Sequence, residues 1–248
     1  MGRPADTHWW TVLDRRLARP GARRHPQVTV RDRPYLRRRG RTTASQARAL
    51  ASLAPAYCLA PKQLADPNQA FGRPAPLVVE IGFGMGHALL ALAASNPAWN
   101  CLGIDVYRPG IGALLNGCKE RNLDNVHVAE GDARELLTRL PQGSVHRFCV
   151  YFPDPWPKRR HHKRRLLNDA FAALLASRLE SGGLIQAATD WQSYAAQMLK
   201  VLEDVAELRN VHGAHHYAPR NENRPVTRFE ARGQKMGHAV YDLEFERA

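Results

Sequence analysis

Acidic residues are scarce in this 248-residue sequence, with 23 Asp and Glu against 36 Lys and Arg and a formal charge of +13 at pH 7. The shortage is greatest at the start: the first 50 residues hold three acids (Asp6, Asp14 and Asp32) against 13 arginines. Such a segment imitates an organellar transit peptide, but prolines and glycines interrupt any amphipathic helix within it. Cysteine is also sparse. Cys58, Cys101, Cys118 and Cys149 lie far apart and form no CxxC pair, which argues against a metal site or a disulfide framework and points to a reducing compartment. No apolar run approaches the roughly 18–20 residues that span a bilayer. The start, MGRPADTHWW, has no apolar core of a secretory signal. These absences lead to the expectation of a cytoplasmic protein with no membrane partner and no metal.

What is present suffices for one sizeable core and a short extension, with 44% hydrophobic and 24% charged residues. Positive charge falls in two blocks, the first 50 residues and KRRHHKRR at 158–165. Either block alone reads as well as a solvated face. Two of them flanking one folded region favour a polyanionic partner, whose phosphates attract basic clusters and release counterions on binding. Residues 1–36 read as a flexible basic arm without sustained periodicity, and residues 37–248 as a single domain with its core from about 76.

From residue 77 the pattern alternates. Strands are expected at 77–83, 100–106, 125–131, 146–152 and 183–189, and helices at 87–95, 110–121, 133–139, 165–179 and 191–204. Gly182 and Gly183 are expected to close the fourth of these helices. A helix at 44–54 and a proline-bearing linker around 61–76 precede them. The alternation in HAVYDLEFER (238–247) reads as an exposed-edge or antiparallel strand. Strand–helix repetition of this kind builds an α/β fold, a parallel sheet with helices on both faces. Ligands of such sheets sit beyond the carboxyl ends of the strands, where this sequence carries glycines and then Asp105, Asp132, Asp154 and Asp190.

EIGFGMG (80–86) joins a strand to a helix, and Gly82, Gly84 and Gly86 allow a tight turn and close approach to a ligand. A dinucleotide fingerprint would need glycine where His87 stands. Glu80, just before the glycines, suits a cationic ligand better than a pyrophosphate. S-adenosylmethionine is such a ligand, with an ammonium, a sulfonium and no phosphate. Asp105, after the second strand, is placed to accept ribose hydroxyls. Asp132, in EGDA, fits an acceptor for the adenine amino group, although that turn is common. In FPDPWPKRR (152–160) three prolines fix the backbone around Asp154. Trp156 is equally a stacking surface for a base and a packing residue under the loop.

With these stretches the chain resembles the bacterial-type tRNA (guanine-N7-)-methyltransferases over most of residues 37–246. The resemblance rests on RRRGRTTASQARAL (37–50), EIGFGMG, GIDVYRPGIG (103–112), EGDA, FPDPWPKRRHHKRR (152–165), TDWQSYA (189–195) and RPVTRFEARGQKMGHAVYDLEF (224–245). The family more often has Glu where Asp105 stands, which puts only cofactor affinity in question. The resemblance implies a Rossmann-like class I methyltransferase fold, with a seven-stranded mostly parallel sheet and an antiparallel last strand. It implies transfer of a methyl group from S-adenosylmethionine, leaving S-adenosylhomocysteine, to N7 of guanosine 46 in the variable loop of tRNA. It places Glu80, Gly82, Gly84, Gly86, Asp105, Asp132 and Asp154 around the cofactor and makes Asp154 the catalytic residue. Lys158, Asp190, Thr227, Arg228, Phe229 and Glu230 would hold the substrate. Arg160, His161, His162, Lys163, Arg164 and Arg165 would grip the RNA backbone. The enzyme would act as a monomer or homodimer. The rival readings are another RNA methyltransferase, a non-catalytic RNA-binding relative, and a nicotinamide dehydrogenase, the last disfavoured by His87.

Overall fold

The segment LVVEI forms β1 (Leu77–Ile81), whose five residues are all buried, Glu80 included. A strand buried on both faces belongs at the centre of a parallel sheet. In the computed structural model, which describes residues 41–221, 224, 230 and 239–248, β1 pairs in parallel with β2 (Asn100–Asp105) on one side and β4 (Val145–Tyr151) on the other. Beyond β2 lies β3 (Val126–Glu130), and beyond β4 lies β5 (Leu179–Thr189), both parallel to their neighbours. β7 (Tyr241–Arg247) runs antiparallel to β5, and β6 (Leu208–Asn210) antiparallel to β7. Among the described residues the sheet therefore has seven strands in the order β3-β2-β1-β4-β5-β7-β6.

Period-two alternation divides the apolar side chains between two layers. Leu102, Ile104, Phe148 and Ile185 point into one cluster, with Leu136 of α6 (Ala133–Leu136), Phe171 and Leu175 of α7 (Asp169–Arg178), and Met198 and Leu202 of α8 (Gln192–Glu203). Cys101, Val126 and Val128 point into the other, with Ala49 of α1 (Ala44–Ser52), Leu89 and Leu90 of α4 (His87–Ser95), and Ile111, Leu114 and Leu115 of α5 (Arg108–Glu120). Local signals set the helix ends. Thr43 and Gln46 form a reciprocal capping box on α1, and Asn168 caps α7 by accepting from the Phe171 amide.

Helices on both faces and the antiparallel last strand match the sequence reading, with three corrections. Residues 61–76, which follow the short helix α2 (Ala54–Tyr57), are more than a linker: Pro61–Ala65 is a 3-10 turn that buries its own Leu64, and Pro67–Phe71 is the short helix α3, each opened by proline. The helix expected from 165 starts at Asp169, because Asn168 caps it there. Gly182 and Gly183 do not close that helix. It ends at Arg178, and Gly182, at φ +77°, bends the strand that follows. β7 is antiparallel, one of the two readings of its alternation, and its Phe245–Arg247 end is paired with β6, three residues long and without a sequence signature. The basic arm expected over residues 1–36 lies outside the described residues.

Candidate active site

Because β1 to β5 are parallel, their carboxyl ends share one edge of the sheet, which brings Glu80, the glycine turn, Asp105, Asp132, Asp154 and Asp190 to a common rim. The turn after β1 depends on glycine. Gly82, Gly84 and Gly86 have φ of +72°, +58° and +79°, a region that side chains make costly. A Cβ at Gly82 or Gly84 would meet nothing within 4 Å, so the turn faces open space. Behind it packing is tight: a Cβ at Gly110, in the first turn of α5, would lie 1.9 Å from the Gly84 carbonyl oxygen.

Glu80 is 4% exposed at the foot of this turn. Burial, and then the charge of Asp105, push its carboxyl up to about 8. A carboxyl raised in this way gains most from a cationic partner. An open cradle of backbone over a buried acid fits S-adenosylmethionine, whose methionine end carries an ammonium and a carboxylate, with the sulfonium further along the chain. The Asp105 carboxylate accepts from the amides of Gly84 (2.8 Å), Val106 (2.7 Å) and Tyr107 (2.9 Å), so it also ties the glycine turn to the start of α5. Asp132 caps α6 through the Arg134 amide (3.0 Å) and receives the Arg134 guanidinium at 3.1 and 2.7 Å. Neither the second role of Asp105 nor the partnership of Asp132 with Arg134 was foreseen from spacing.

The loop after β4 is shaped differently. Phe152 and Trp156, both at positive φ (50° and 45°), bracket Asp154. For non-glycine residues such strain costs on the order of 1–3 kcal/mol each and persists only where surroundings impose it. Trp156 is 7% exposed, with the Arg164 guanidinium 4.9 Å over its ring and His161 edge-on at 5.8 Å. Of its two readings the packing one holds. Lys158 and the 3-10 turn Arg159–Arg164 carry the basic run, in which Lys158, Arg159, Arg160 and Lys163 are exposed. His161, His162 and Arg164 are half-buried. Partial burial and then the neighbouring Arg164, Arg160 and Lys158 charges hold His161 below its ordinary pKa.

Arg165 overturns its expected role. It is 1% exposed, and its guanidinium donates to the Pro155 carbonyl, to Ser193 and to Gln197, which leaves it no access to a phosphate. Asp190 stands half-exposed where β5 ends. Glu230 is likewise corrected as a substrate contact. It is fully buried, and its carboxylate accepts from Arg220 (2.8 Å) and Arg224 (2.6 Å). Burial opposes its charge, but the two guanidiniums prevail and hold its pKa below the ordinary value. Arg224, itself buried, also donates to Asp242 on β7 and lies 5.5 Å over Tyr151 and 5.4 Å over Phe152. This arginine escaped the sequence reading, although it opens one of the matched stretches. Thr227, Arg228 and Phe229 lie outside the described residues.

A family model described as "Putative methyltransferase" matches residues 74–243. The chain is 50% identical over 219 residues to the tRNA (guanine-N(7)-)-methyltransferase of Methylococcus capsulatus, covering 88% of this chain and 95% of that protein. It is equally identical to that of Thiobacillus denitrificans, with 88% and 96% covered. Among solved structures, the aminoglycoside resistance methyltransferase NpmB1 aligns with a TM-score of 0.51 at 14% identity, over 77% of this chain and 94% of that one. TrmN from Thermus thermophilus aligns at 0.50 with 18% identity, over 82% and 53%. At these identities the structures bear on the fold alone, which is that of a methyltransferase sheet.

Proposed function

The chain belongs to the family of tRNA (guanine-N(7)-)-methyltransferases, and on that premise we propose that it methylates N7 of guanosine 46 in the variable loop of tRNA. The observation that carries this reading is the common rim: a glycine cradle over buried Glu80 beside a proline-fixed turn that bears Asp154 and leads into an exposed basic run. S-adenosylmethionine, when bound, supplies a methyl group on a cationic sulfur and leaves as S-adenosylhomocysteine. Glu80, the turn of Gly82, Gly84 and Gly86, Asp105, Asp132 and Asp154 are the residues that would hold it. No described helix is long and apolar enough to cross a membrane, and the reading places the protein with the tRNA pool of the cytoplasm.

N7 of guanine carries an in-plane lone pair and no proton at neutral pH, so attack on a methyl group needs no general base. The protein's task is alignment, which can supply about 7–11 kcal/mol. Asp154 and Asp190 accept from the ring N–H and amino group of guanine and turn the opposite edge toward the methyl group. Thr227, Arg228 and Phe229 complete the substrate side. Glu230 contributes indirectly, through Arg220 and Arg224. Adenine offers no such ring N–H and would leave a carboxylate unpaired, which disfavours it. Lys158, Arg160 and Lys163 meet phosphates, and their contacts offset the roughly few kcal/mol lost when the base leaves its stack. His161, His162 and Arg164 line the same run from partly buried positions. Residues 37–248 act as the catalytic domain and the arm of residues 1–36 adds charge.

Incubation with labelled S-adenosylmethionine and unmodified tRNA, followed by nucleoside analysis, tests the reading. Labelled 7-methylguanosine that disappears when guanosine 46 is replaced is the expected result. Label on another nucleoside would overturn the choice of target, and tRNA binding without label would favour a non-catalytic relative.

A further inference from the structure

The run KRRHHKRR ends on a residue that behaves unlike the rest of it. The 3-10 turn stops at Arg164, and Arg165 takes an extended backbone (φ −57°, ψ 132°) that sends its side chain inward. Its Nε donates to the Pro155 carbonyl at 2.9 Å. Nη1 donates to the Ser193 carbonyl at 3.1 Å and to Gln197 Oε1 at 2.8 Å, and Nη2 to Ser193 Oγ at 3.0 Å. The guanidinium lies 4.8 Å over the ring of Tyr194, whose hydroxyl accepts from the Leu167 amide at 3.0 Å. These acceptors are neutral and mostly on α8. Burying a cation among them is costly unless its donors are used, and here all three guanidinium nitrogens donate.

The position of the latch gives it a consequence. Pro155 follows Asp154 directly, and Phe152 and Trp156 on either side hold left-handed backbone that relaxes unless surroundings impose it. Asp154 also acts electrostatically on Tyr194, the ring beneath the guanidinium. We propose that Arg165 is a positioning residue of the methyl-transfer site: its guanidinium fastens the Asp154–Pro155–Trp156 turn to α8 and so fixes Asp154 against the target base. The proposal rests on the reading of Asp154 as the group that orients guanine. It separates the exposed cations of the basic run, which attract RNA, from Arg165, which sets geometry. A lysine keeps the charge but lacks the planar fork that reaches Pro155, Ser193 and Gln197 together.

Kinetics of Arg165→Gln and Arg165→Lys test it, with hydrogen exchange of the peptide around residues 150–160. Arg165→Gln is expected to lower kcat by about 30-fold, since misplacements of an ångström cost on the order of 100-fold. The KM for tRNA and the salt dependence of tRNA binding stay within error of the wild type. Arg165→Lys recovers little of the lost rate. Exchange at Asp154 and Trp156 rises. A kcat close to wild type, or a salt dependence flattened as in Lys163→Ala, would overturn the proposal. Should Arg165→Gln fold poorly, the double variant Ser193→Ala, Gln197→Ala removes two of the acceptors, and an unaltered kcat there would overturn it equally. The exchange measurement separates this inference from the functional reading. A wild type that made no 7-methylguanosine would contradict that reading, while exchange at Asp154 and Trp156 would still support the latch if faster in Arg165→Gln and overturn it if unchanged.

Discussion

The two halves of the sheet's carboxyl edge are built by different means. Over β1 to β3 the loops are shaped by glycines and by carboxylates bonded to nearby backbone: Asp105 to Gly84, Val106 and Tyr107, and Asp132 to Arg134. Over β4 and β5 the loops are shaped by prolines and by buried guanidiniums that bond side chains and carbonyls of other elements, Arg165 to α8 and Arg224 to Asp242 and Glu230. The first construction fastens loop backbone with carboxylates, Asp105 reaching back 21 residues to Gly84, and suits a small constant ligand. The second ties the Asp154 turn to α8 through Arg165, so under the proposed reading changes in α8 should reach the chemistry.

The comparison is broken most severely at Asp154. Asp154→Asn is expected to lower kcat/KM for tRNA by about 100-fold, and, because Asp154 also stands among the cofactor residues, to weaken S-adenosylmethionine binding to a smaller degree. A variant that retained both rate and guanine preference would show that the second half does not orient the base.

Glu80 sharpens the first half. Burial raises its carboxyl from an ordinary 4.5 to about 8. Between those values the folded protein holds a proton that the unfolded chain has released, so the Glu80 contribution lowers stability as pH rises through that window. A cationic ligand favours the ionised form, so S-adenosylmethionine affinity should rise toward pH 8. Glu80→Gln is expected to remove the Glu80 part of both trends, read by Tm and by calorimetric titration against pH. Trends identical to wild type would contradict the assignment.

Gly110→Ala should act through the backbone alone, since its Cβ would meet the Gly84 carbonyl at 1.9 Å. Displacing the glycine turn should weaken S-adenosylmethionine binding and cost about 1–3 kcal/mol of stability, with tRNA affinity little changed. The smallest effects are expected on the surface: Arg160→Ala and Lys163→Ala should each lower tRNA affinity modestly and reduce the slope of log K against log salt by about one.

This division also explains what the sequence disclosed. The strands and the glycine turn were legible because their signals are local, in runs such as LVVEI and a spacing that places Glu80 before three glycines. The acids at the strand ends followed from the parallel topology. The inward turn of Arg165 was not legible. Within KRRHHKRR nothing distinguishes the last arginine from its neighbours until the 3-10 turn sets its direction and Ser193 and Gln197 receive it. Glu230 was misjudged for the same reason, since its partners Arg220 and Arg224 become neighbours of its carboxylate only in the folded chain. β6 is too short for periodicity to reveal.

The central claim is that the protein aligns the N7 lone pair with the methyl group and supplies no base. The most direct test places 7-deazaguanosine, which has carbon in place of N7, at position 46 of an otherwise unmodified tRNA. The account predicts binding close to that of ordinary tRNA, because the Watson–Crick edge and the phosphates are intact, and no methyl transfer to that nucleoside. Transfer to the 7-deazaguanosine residue, at N1 or the exocyclic amine, would contradict it.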